Sequence, residues 1–429
     1  MLFRSHIPAP HVPSPSPSQQ PTSFTDLGKK SVEALTLEGL RELTTLRGMA
    51  TGKAPPSGGG DPAGEDTWAE RAAWCSKYLA LLSTFAARTT AAAAATSRPS
   101  GGGIITLLSD LIDGGDVVKR LRFEWSSAAG GLPTTFWPLS GAPADAVMVA
   151  ALLASALRAG AAAAAARLAS EPEARAESGG AAFTAAAALA RGAAGAWEAV
   201  QDAATAADAP GPTTRSSAED AGPLPRGLAL PGDRPAELVP ATAGALSRLC
   251  LADAQALAAA RAEAKGLSPG ALAALHAGAA GLYEEAGSAL AAASVDACVP
   301  LAAGLGAGAA VGAALSEARA RLATARDAFE TGLDPGRAIA ELRAASACLA
   351  RGRAVVKNGS GLGAADATAA ATALSGLEKT VAAAAAGLDR ERLVVYMTPI
   401  PSSPVPLPVG KVVVAAMPLV VEPVSAAHF

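Results

Sequence analysis

The sequence predicts a mainly α-helical, solenoid-like protein with a few short strands or an extended arm at its C-terminal end. Three observations lead to this prediction. Long segments carry apolar residues at helical spacing. Short joints containing Gly, Ser or Pro separate several of them, as expected for antiparallel helix pairs. After about residue 392, valine-rich runs interrupted by prolines replace the helical pattern, which favours extended backbone.

The first 24 residues are rich in Ser and Pro and predict a disordered arm. Arg4 and the lack of acidic residues before Asp26 are also compatible with a plastid transit peptide, so that alternative stays open. The apolar run of a secretory signal is missing. Residues 25–50 then show a helical pattern of leucines, and residues 51–66 predict a flexible loop.

The middle of the chain predicts alanine-rich helices followed by a Pro-, Gly- and Ser-rich linker. The predicted elements are helices at 67–96, 104–125, 144–170 and 180–208, a turn-rich segment at 126–143 and the linker at 208–235.

The clearest local signal is a helical hairpin over residues 249–287, where two apolar stripes flank a short joint. Gly266 supplies a left-handed stop for the first helix, and Leu267 can fold back on the preceding turn. Ser268 and Pro269 then suit the N-cap and the first position of the second helix.

The C-terminal part predicts further helices and then a change of structure. We expect residues 25–424 to form a single domain and residues 425–429 a short tail. The predicted elements are helices at about 295–332, 335–356 and 364–388, followed by extended or wrapping backbone at 392–424.

Composition and charge exclude several classes of function. The net charge of −3 and the scattered lysines and arginines do not predict a nucleic-acid interface. The four cysteines lie far apart, without the spacing of a metal site, and we expect reduced thiols. His276 lies within an apolar helix, where a structural role is expected. We therefore predict no enzyme activity, no cofactor and no metal, since no catalytic motif is found.

Residues 297–315 are uncharged and contain glycines at GxxxG spacing, so their length alone would permit a membrane span. Ala and Gly are only weakly hydrophobic, and Arg319 and Arg321 follow closely. We therefore expect a close-packed helix at this position and no direct membrane insertion.

Five segments, in order along the chain, resemble the Bro-one (Alix-type) domain family, and together they span roughly residues 105–420. The hairpin resembles the family's LMLAQAQE…AKLA…YY region without gaps from Leu249 to Ala286. The other segments are Phe123-Glu124-Trp125, AAGAW at 193–197, GRAIAELRAA at 336–345 and the closing segment at 394–419.

The resemblance implies a curved solenoid with tetratricopeptide-like helix pairs. It also implies a groove that binds an amphipathic C-terminal helix of the ESCRT-III core subunit. The family's Phe, Ile and Leu anchors correspond to Ala258, Ala271 and Leu275, so only the Leu is retained. Leu272 could partly replace the missing Ile. These four residues are the predicted partner-binding residues.

The resemblance also predicts a cytoplasmic scaffold that is recruited to endosomes, with plastid import as the alternative if residues 1–24 are a transit peptide. A second interpretation is a degenerate Bro-one fold that binds a different partner. The sequence does not predict the oligomeric state. An exposed apolar strip on the hairpin would favour ESCRT-III binding, and a covered hairpin would favour the different partner.

Overall fold

The structure is a computed structural model, and the statements below concern the residues that it describes. These are residues 43, 45–47, 65–91, 102–103, 122–127, 129–130, 136–140, 142–170, 180–208, 234–296, 301–358 and 361–421. Outside them lie the predicted arm at 1–24, most of 25–50 and of the loop at 51–66, nearly all of the linker at 208–235, and the tail at 425–429.

Each α-helix packs against the next along the chain, which gives the predicted solenoid of helix pairs. The helices predicted at 144–170, 180–208, 335–356 and 364–388 are confirmed to within three residues at each end. The elements are α1 Glu65–Ala91, β1 Gly102–Gly103, β2 Arg122–Ser126, β3 Phe136–Ser140, α2 Ala142–Ser170, α3 Ala181–Asp208, a 3-10 turn Ala236–Leu238, α4 Pro240–Ala264, α5 Pro269–Asp296, α6 Ala303–Glu330, α7 Pro335–Lys357, α8 Ala364–Glu391, a π turn Arg392–Tyr396 and β4 Val420–Val421.

The joint between α4 and α5 has the predicted left-handed glycine and the predicted proline at the start of α5. Gly266 has a φ of 69°, the left-handed conformation that glycine adopts without a steric penalty. The Leu267 N–H donates to the Ala262 carbonyl at 3.2 Å, which closes the last turn of α4. Helix α5 then begins at Pro269.

The helix predicted at 104–125 is wrong at its C-terminal end, because residues 122–125 belong to strand β2, which pairs antiparallel with β3. Phe123 and Trp125 are buried, whereas Glu124 between them is half-buried. This alternation has the two-residue period of a strand. In this conformation both aromatic side chains pack into the core, and that packing overrides the helical pattern of the preceding sequence.

A buried carboxylate joins α1, β2 and α2. Asp145, in the first turn of α2, is fully buried and accepts hydrogen bonds from the Tyr78 hydroxyl at 2.6 Å and the Trp125 indole at 2.9 Å. The Arg47 guanidinium forms an ion pair with Asp145 at 3.1 Å and lies over the Phe123 ring. Burial, reinforced by the Asp145 charge, raises the pKa of Tyr78 well above its ordinary value.

Small side chains let the helices approach closely. A Cβ atom at Gly312 would lie 2.7 Å from the Tyr283 ring, so glycine is required where α5 crosses α6. Much of the apolar segment at 297–315 is therefore packed in the solenoid, in α6. Among the described helices, residues Ala142–Ala169 alone are long and apolar enough to span a membrane, and 83% of their apolar window is buried in the fold, as in a core helix.

We predict that Asp145→Ala lowers the free energy of unfolding by about 3–5 kcal/mol, because it leaves the buried Tyr78 hydroxyl and Trp125 indole without their acceptor and removes the carboxylate that pairs with Arg47. Urea unfolding measures the loss. Glu285→Ala, which removes an exposed carboxylate from α5, is the control. A loss no larger than that of the control would contradict the structural role of Asp145.

Candidate partner-binding site

A segment of irregular backbone, residues 397–419, crosses the solenoid and is called the strap here. It leaves the π turn at Met397 and ends at β4, where Val420 and Val421 pair antiparallel with Gly103 and Gly102. On the way it contacts α7, α6, α5, α4 and α3 through the hydrogen bonds described below. The wrapping arm predicted at the C-terminal end is therefore present.

The first attachment holds Val405 between α6 and α7. Glu341 is fully buried, and it accepts the Val405 N–H at 2.7 Å on one carboxylate oxygen and the Arg321 guanidinium at 2.8 Å on the other. Arg321 also donates to the Val405 carbonyl at 2.6 Å. The Arg321–Glu341 ion pair thus binds both the N–H and the C=O of Val405.

The second attachment lies on the α4–α5 hairpin and uses both the nitrogen and the oxygen of the Gln255 side-chain amide. The fully buried Gln255 donates to the carbonyls of Lys411 at 2.8 Å and Leu275 at 3.1 Å. Its oxygen accepts the Val413 N–H at 2.9 Å, and the Ala274 carbonyl accepts the Lys411 N–H at 2.9 Å. Gln255 therefore joins α4, α5 and the strap.

The third attachment is at α3. The Arg191 side chain donates to the Ala415 carbonyl at 2.7 Å, and the main-chain carbonyl of Arg191 accepts the Met417 N–H at 3.0 Å. Between Val405 and Met417, four side chains and two carbonyls of the α-helices therefore bind the strap at three points.

Glycines permit the strap to reach the helix backbone. A Cβ atom at Gly195 in α3 would lie 1.7 Å from the Met417 carbonyl oxygen, and one at Gly278 in α5 would lie 2.6 Å from that of Lys411. Real Cβ atoms do not make contacts this short. Any larger residue at either position would push the strap away from its hydrogen-bond partners.

The four residues predicted to bind a partner lie on the α4–α5 hairpin but differ in accessibility. Ala271 is exposed and Ala258 is half-buried, whereas Leu272 and Leu275 are each 7% exposed. Because α4 and α5 run antiparallel from Gly266, Ala258 and Leu275 lie at the same level. The two leucines pack in a small cluster with Ala259, Ala262, Ala273 and Ala323.

The accessible surface here is therefore shallow and formed largely by small residues. The strap crosses α5 at Ala274 and Gly278, within a turn of Leu275, and so borders this surface on one side. The assignment of these four residues to partner binding stays a prediction.

A buried ion pair fixes the hairpin on α2. Arg158 of α2 is 4% exposed and donates to Asp253 of α4 at 2.8 Å. The Tyr283 hydroxyl of α5 donates to the other Asp253 oxygen at 2.7 Å. Burial and the adjacent carboxylate raise the pKa of Tyr283 well above its ordinary value. Helices α2, α4 and α5 are thereby held in one arrangement.

Burial also sets the chemistry of the remaining reactive groups. Cys75, Cys250 and Cys348 are free and buried, and burial raises the pKa of Cys75 and of Cys250 to about 12. Such thiols stay protonated and unreactive at neutral pH. Among the described residues, no group of His, Cys, Asp and Glu side chains could hold a metal ion.

The side chains that bind the strap were not identified as functional from the sequence. Gln255 and Glu341 stand within quoted motifs, each between apolar neighbours on a helix, and both are fully buried. A polar residue inside an apolar stripe is the one signal that could have indicated them, since buried polar groups require partners. Arg191 and Arg321 carry no comparable signal.

Comparison with known proteins identifies the type of domain. A family model described as BRO1-like domain matches residues 160–427. No curated protein matches the sequence.

Three solved structures are similar in fold. The ALIX BRO1 CHMP4C complex has a TM-score of 0.61 at 15% identity and covers 93% of this chain and 91% of that chain. ALIX in complex with the SIVmac239 PYKEVTEDL late domain has a TM-score of 0.60 at 16% identity, covering 95% of this chain and 48% of that chain. A structure described as the basis for endosomal targeting by the Bro1 domain has a TM-score of 0.53 at 12% identity, covering 94% and 88%.

We predict that Gln255→Leu releases the middle of the strap and lowers the free energy of unfolding by about 3 kcal/mol, since three hydrogen bonds are lost. Trypsin should then cleave after the exposed Lys411 many times faster, which the appearance of the fragment 412–429 measures by mass spectrometry. Glu263→Gln, at an exposed position of α4, should leave the cleavage rate unchanged. Equal rates in all three proteins would contradict the attachment.

We also predict a pH dependence from His276, which is 3% exposed. Burial, assisted by the Arg319 cation, lowers the pKa of His276 from 6.5 to about 3. At pH values between these two pKa values, the unfolded chain therefore carries a proton on His276 that the folded chain lacks. The free energy of unfolding is therefore highest above pH 6.5 and falls by about 1.4 kcal/mol for each pH unit below it. Urea unfolding between pH 7 and pH 5 measures the slope, and His276→Gln should reduce it; an unchanged slope would contradict the burial of a neutral His276.

Proposed function

Because the chain belongs to the family of BRO1-like domains, we propose that it is a non-catalytic helical scaffold for endosomal sorting. Its partner is an amphipathic helix of the ESCRT-III core subunit, bound on the α4–α5 hairpin. The observation that carries this proposal is the family match, which includes the whole hairpin and the strap. The similarity of fold to a BRO1 domain in complex with CHMP4C supports the kind of partner.

The proposed binding surface follows from accessibility. Ala271 and Ala258 offer small side chains at the surface, and Leu275 contributes the little of its side chain that remains accessible. A helix that docks there needs large apolar side chains of its own to fill the space above the alanines. The strap limits how far that helix can extend along α5, because the strap backbone covers Gly278.

The two alanines set the expected strength of the interaction. Truncation of a dominant interface residue to Ala costs roughly 2 kcal/mol or more. Two such losses would weaken binding by about a thousandfold relative to a domain with Phe and Ile at these positions. The proposal therefore requires a partner whose own side chains compensate.

A second candidate function rests on the burial of Leu272 and Leu275. Both leucines contact neighbouring helices with nearly their whole side chains, so they offer little apolar area to a ligand. This observation favours a BRO1-like fold that binds a different partner through another surface. In either case we place the protein in the cytoplasm with recruitment to endosomes, and plastid import stays the alternative if residues 1–24 are a transit peptide.

The decisive substitution is at Ala271, because Leu275→Asp would bury a charge and unfold the hairpin. We predict that the C-terminal helix of the host's ESCRT-III core subunit binds the full chain, and that Ala271→Arg weakens binding at least about tenfold by blocking the surface. Ala291→Arg is the matched control, since Ala291 is exposed on the opposite side of α5. Isothermal titration gives the affinities, and no binding by the wild-type chain would refute the ESCRT-III proposal.

The reverse substitutions test the same surface by a gain of affinity. Ala258→Phe combined with Ala271→Ile should strengthen binding of that helix at least about tenfold, because both side chains add apolar contact to the shallow surface formed by the exposed Ala271 and the half-buried Ala258. An affinity unchanged by the double substitution would place the binding site elsewhere on the domain.

A further inference from the structure

Between residues 411 and 417, one edge of the strap makes no hydrogen bond to the described part of the chain. The strap residues that bind the helices are alternate ones, namely Lys411, Val413, Ala415 and Met417. In the part of the chain that the structure describes, Val412, Val414 and Ala416 make no hydrogen bond through either N–H or C=O.

This alternation has a simple geometric meaning. In extended backbone, neighbouring residues direct their N–H and C=O groups to opposite edges of the chain. The helices occupy one edge between residues 411 and 417, so the polar groups of Val412, Val414 and Ala416 form the other. That row is called the open edge here.

The open edge has the properties of a strand that pairs with another chain. Unpaired N–H and C=O groups in a row are a template for strand addition. Three consecutive valines give the segment a high β-propensity. Pro408 and Pro418 bound the segment on each side, and no proline interrupts it between them. Lys411 is its one charged residue.

We propose that the open edge pairs with the open edge of a second copy of this chain, antiparallel about a two-fold axis at Val414. In this register Val414 lies opposite its own counterpart and Val412 opposite Ala416. Each of these residues then both donates and accepts a backbone hydrogen bond, as in the hydrogen-bonded pairs of an antiparallel ladder. The interface is self-complementary, as a two-fold dimer requires.

Charge and apolar area favour a second copy of the chain as the pairing partner. Lys411 lies opposite Met417 of the partner copy, so the two ammonium groups do not face each other. The side chains of Val412, Val413 and Met417 are 41–51% exposed in the single chain, and pairing would cover part of that area. A ladder this short buries less than the roughly 1,200 Å² of a standard stable interface, so the dimer should depend on concentration.

Sedimentation velocity of the full chain over a concentration series tests the proposal. We expect a reversible monomer–dimer equilibrium that Val414→Pro weakens at least about tenfold, because proline removes the central N–H without removing any bond to the helices. Val414→Thr keeps that N–H and a β-branched shape, so its dimer should persist. A monomer at every soluble concentration, or a dimer unaffected by Val414→Pro, would overturn the proposal.

Synthetic peptides of residues 409–417 provide a test that does not depend on the folding of a variant. A peptide N-methylated at the positions of Lys411, Val413 and Met417 keeps its open edge and should dissociate the dimer. One N-methylated at the positions of Val412, Val414 and Ala416 should have no effect. The opposite result would mean that the peptide displaces the strap from the helices, and it would overturn pairing through the open edge.

Discussion

The hydrogen bonding of the strap's main chain is the constraint on which the other features of the structure depend. The helices that it crosses already use most of their own N–H and C=O groups, so few backbone partners are left. Side chains must supply the rest. This requirement accounts for Gln255 and Glu341, fully buried polar residues in helices otherwise rich in alanine. It also accounts for Gly195 and Gly278, where any side chain would hold the strap too far away.

The same constraint explains why separate segments resemble the family together. Gly195 lies in the AAGAW segment and Gln255 in the hairpin motif, and both contact the strap. Glu341 lies in GRAIAELRAA and binds Val405, which belongs to the closing segment itself. Each motif is weak when read alone, but four of the five meet at one physical feature. The fifth, at Phe123 and Trp125, packs around Asp145 at a separate buried polar centre.

The helices and the α4–α5 joint could be predicted because their signals are local: apolar periodicity, a Gly stop and a Ser-Pro start. The strand at Phe123 could not, since its alternation is short and directly follows a longer helical pattern. The hydrogen bonds of the strap could not be predicted from the sequence for a different reason. Gln255 and Val413 are 158 residues apart in sequence, and no local pattern joins them. Periodicity also could not decide whether Leu272 and Leu275 face a partner or a neighbouring helix, because solenoid helices bury more than one face.

Residue-resolved amide hydrogen exchange of the full chain, at a dilution that favours the monomer, tests the central claim most directly. The hydrogen bonds at Val405, Lys411, Val413 and Met417 predict slow exchange at these four amides. The amides of Val412, Val414 and Ala416 should exchange far faster. Uniformly fast exchange along residues 405–417 would contradict the account, because the strap would then lie on the solenoid without being bound to it.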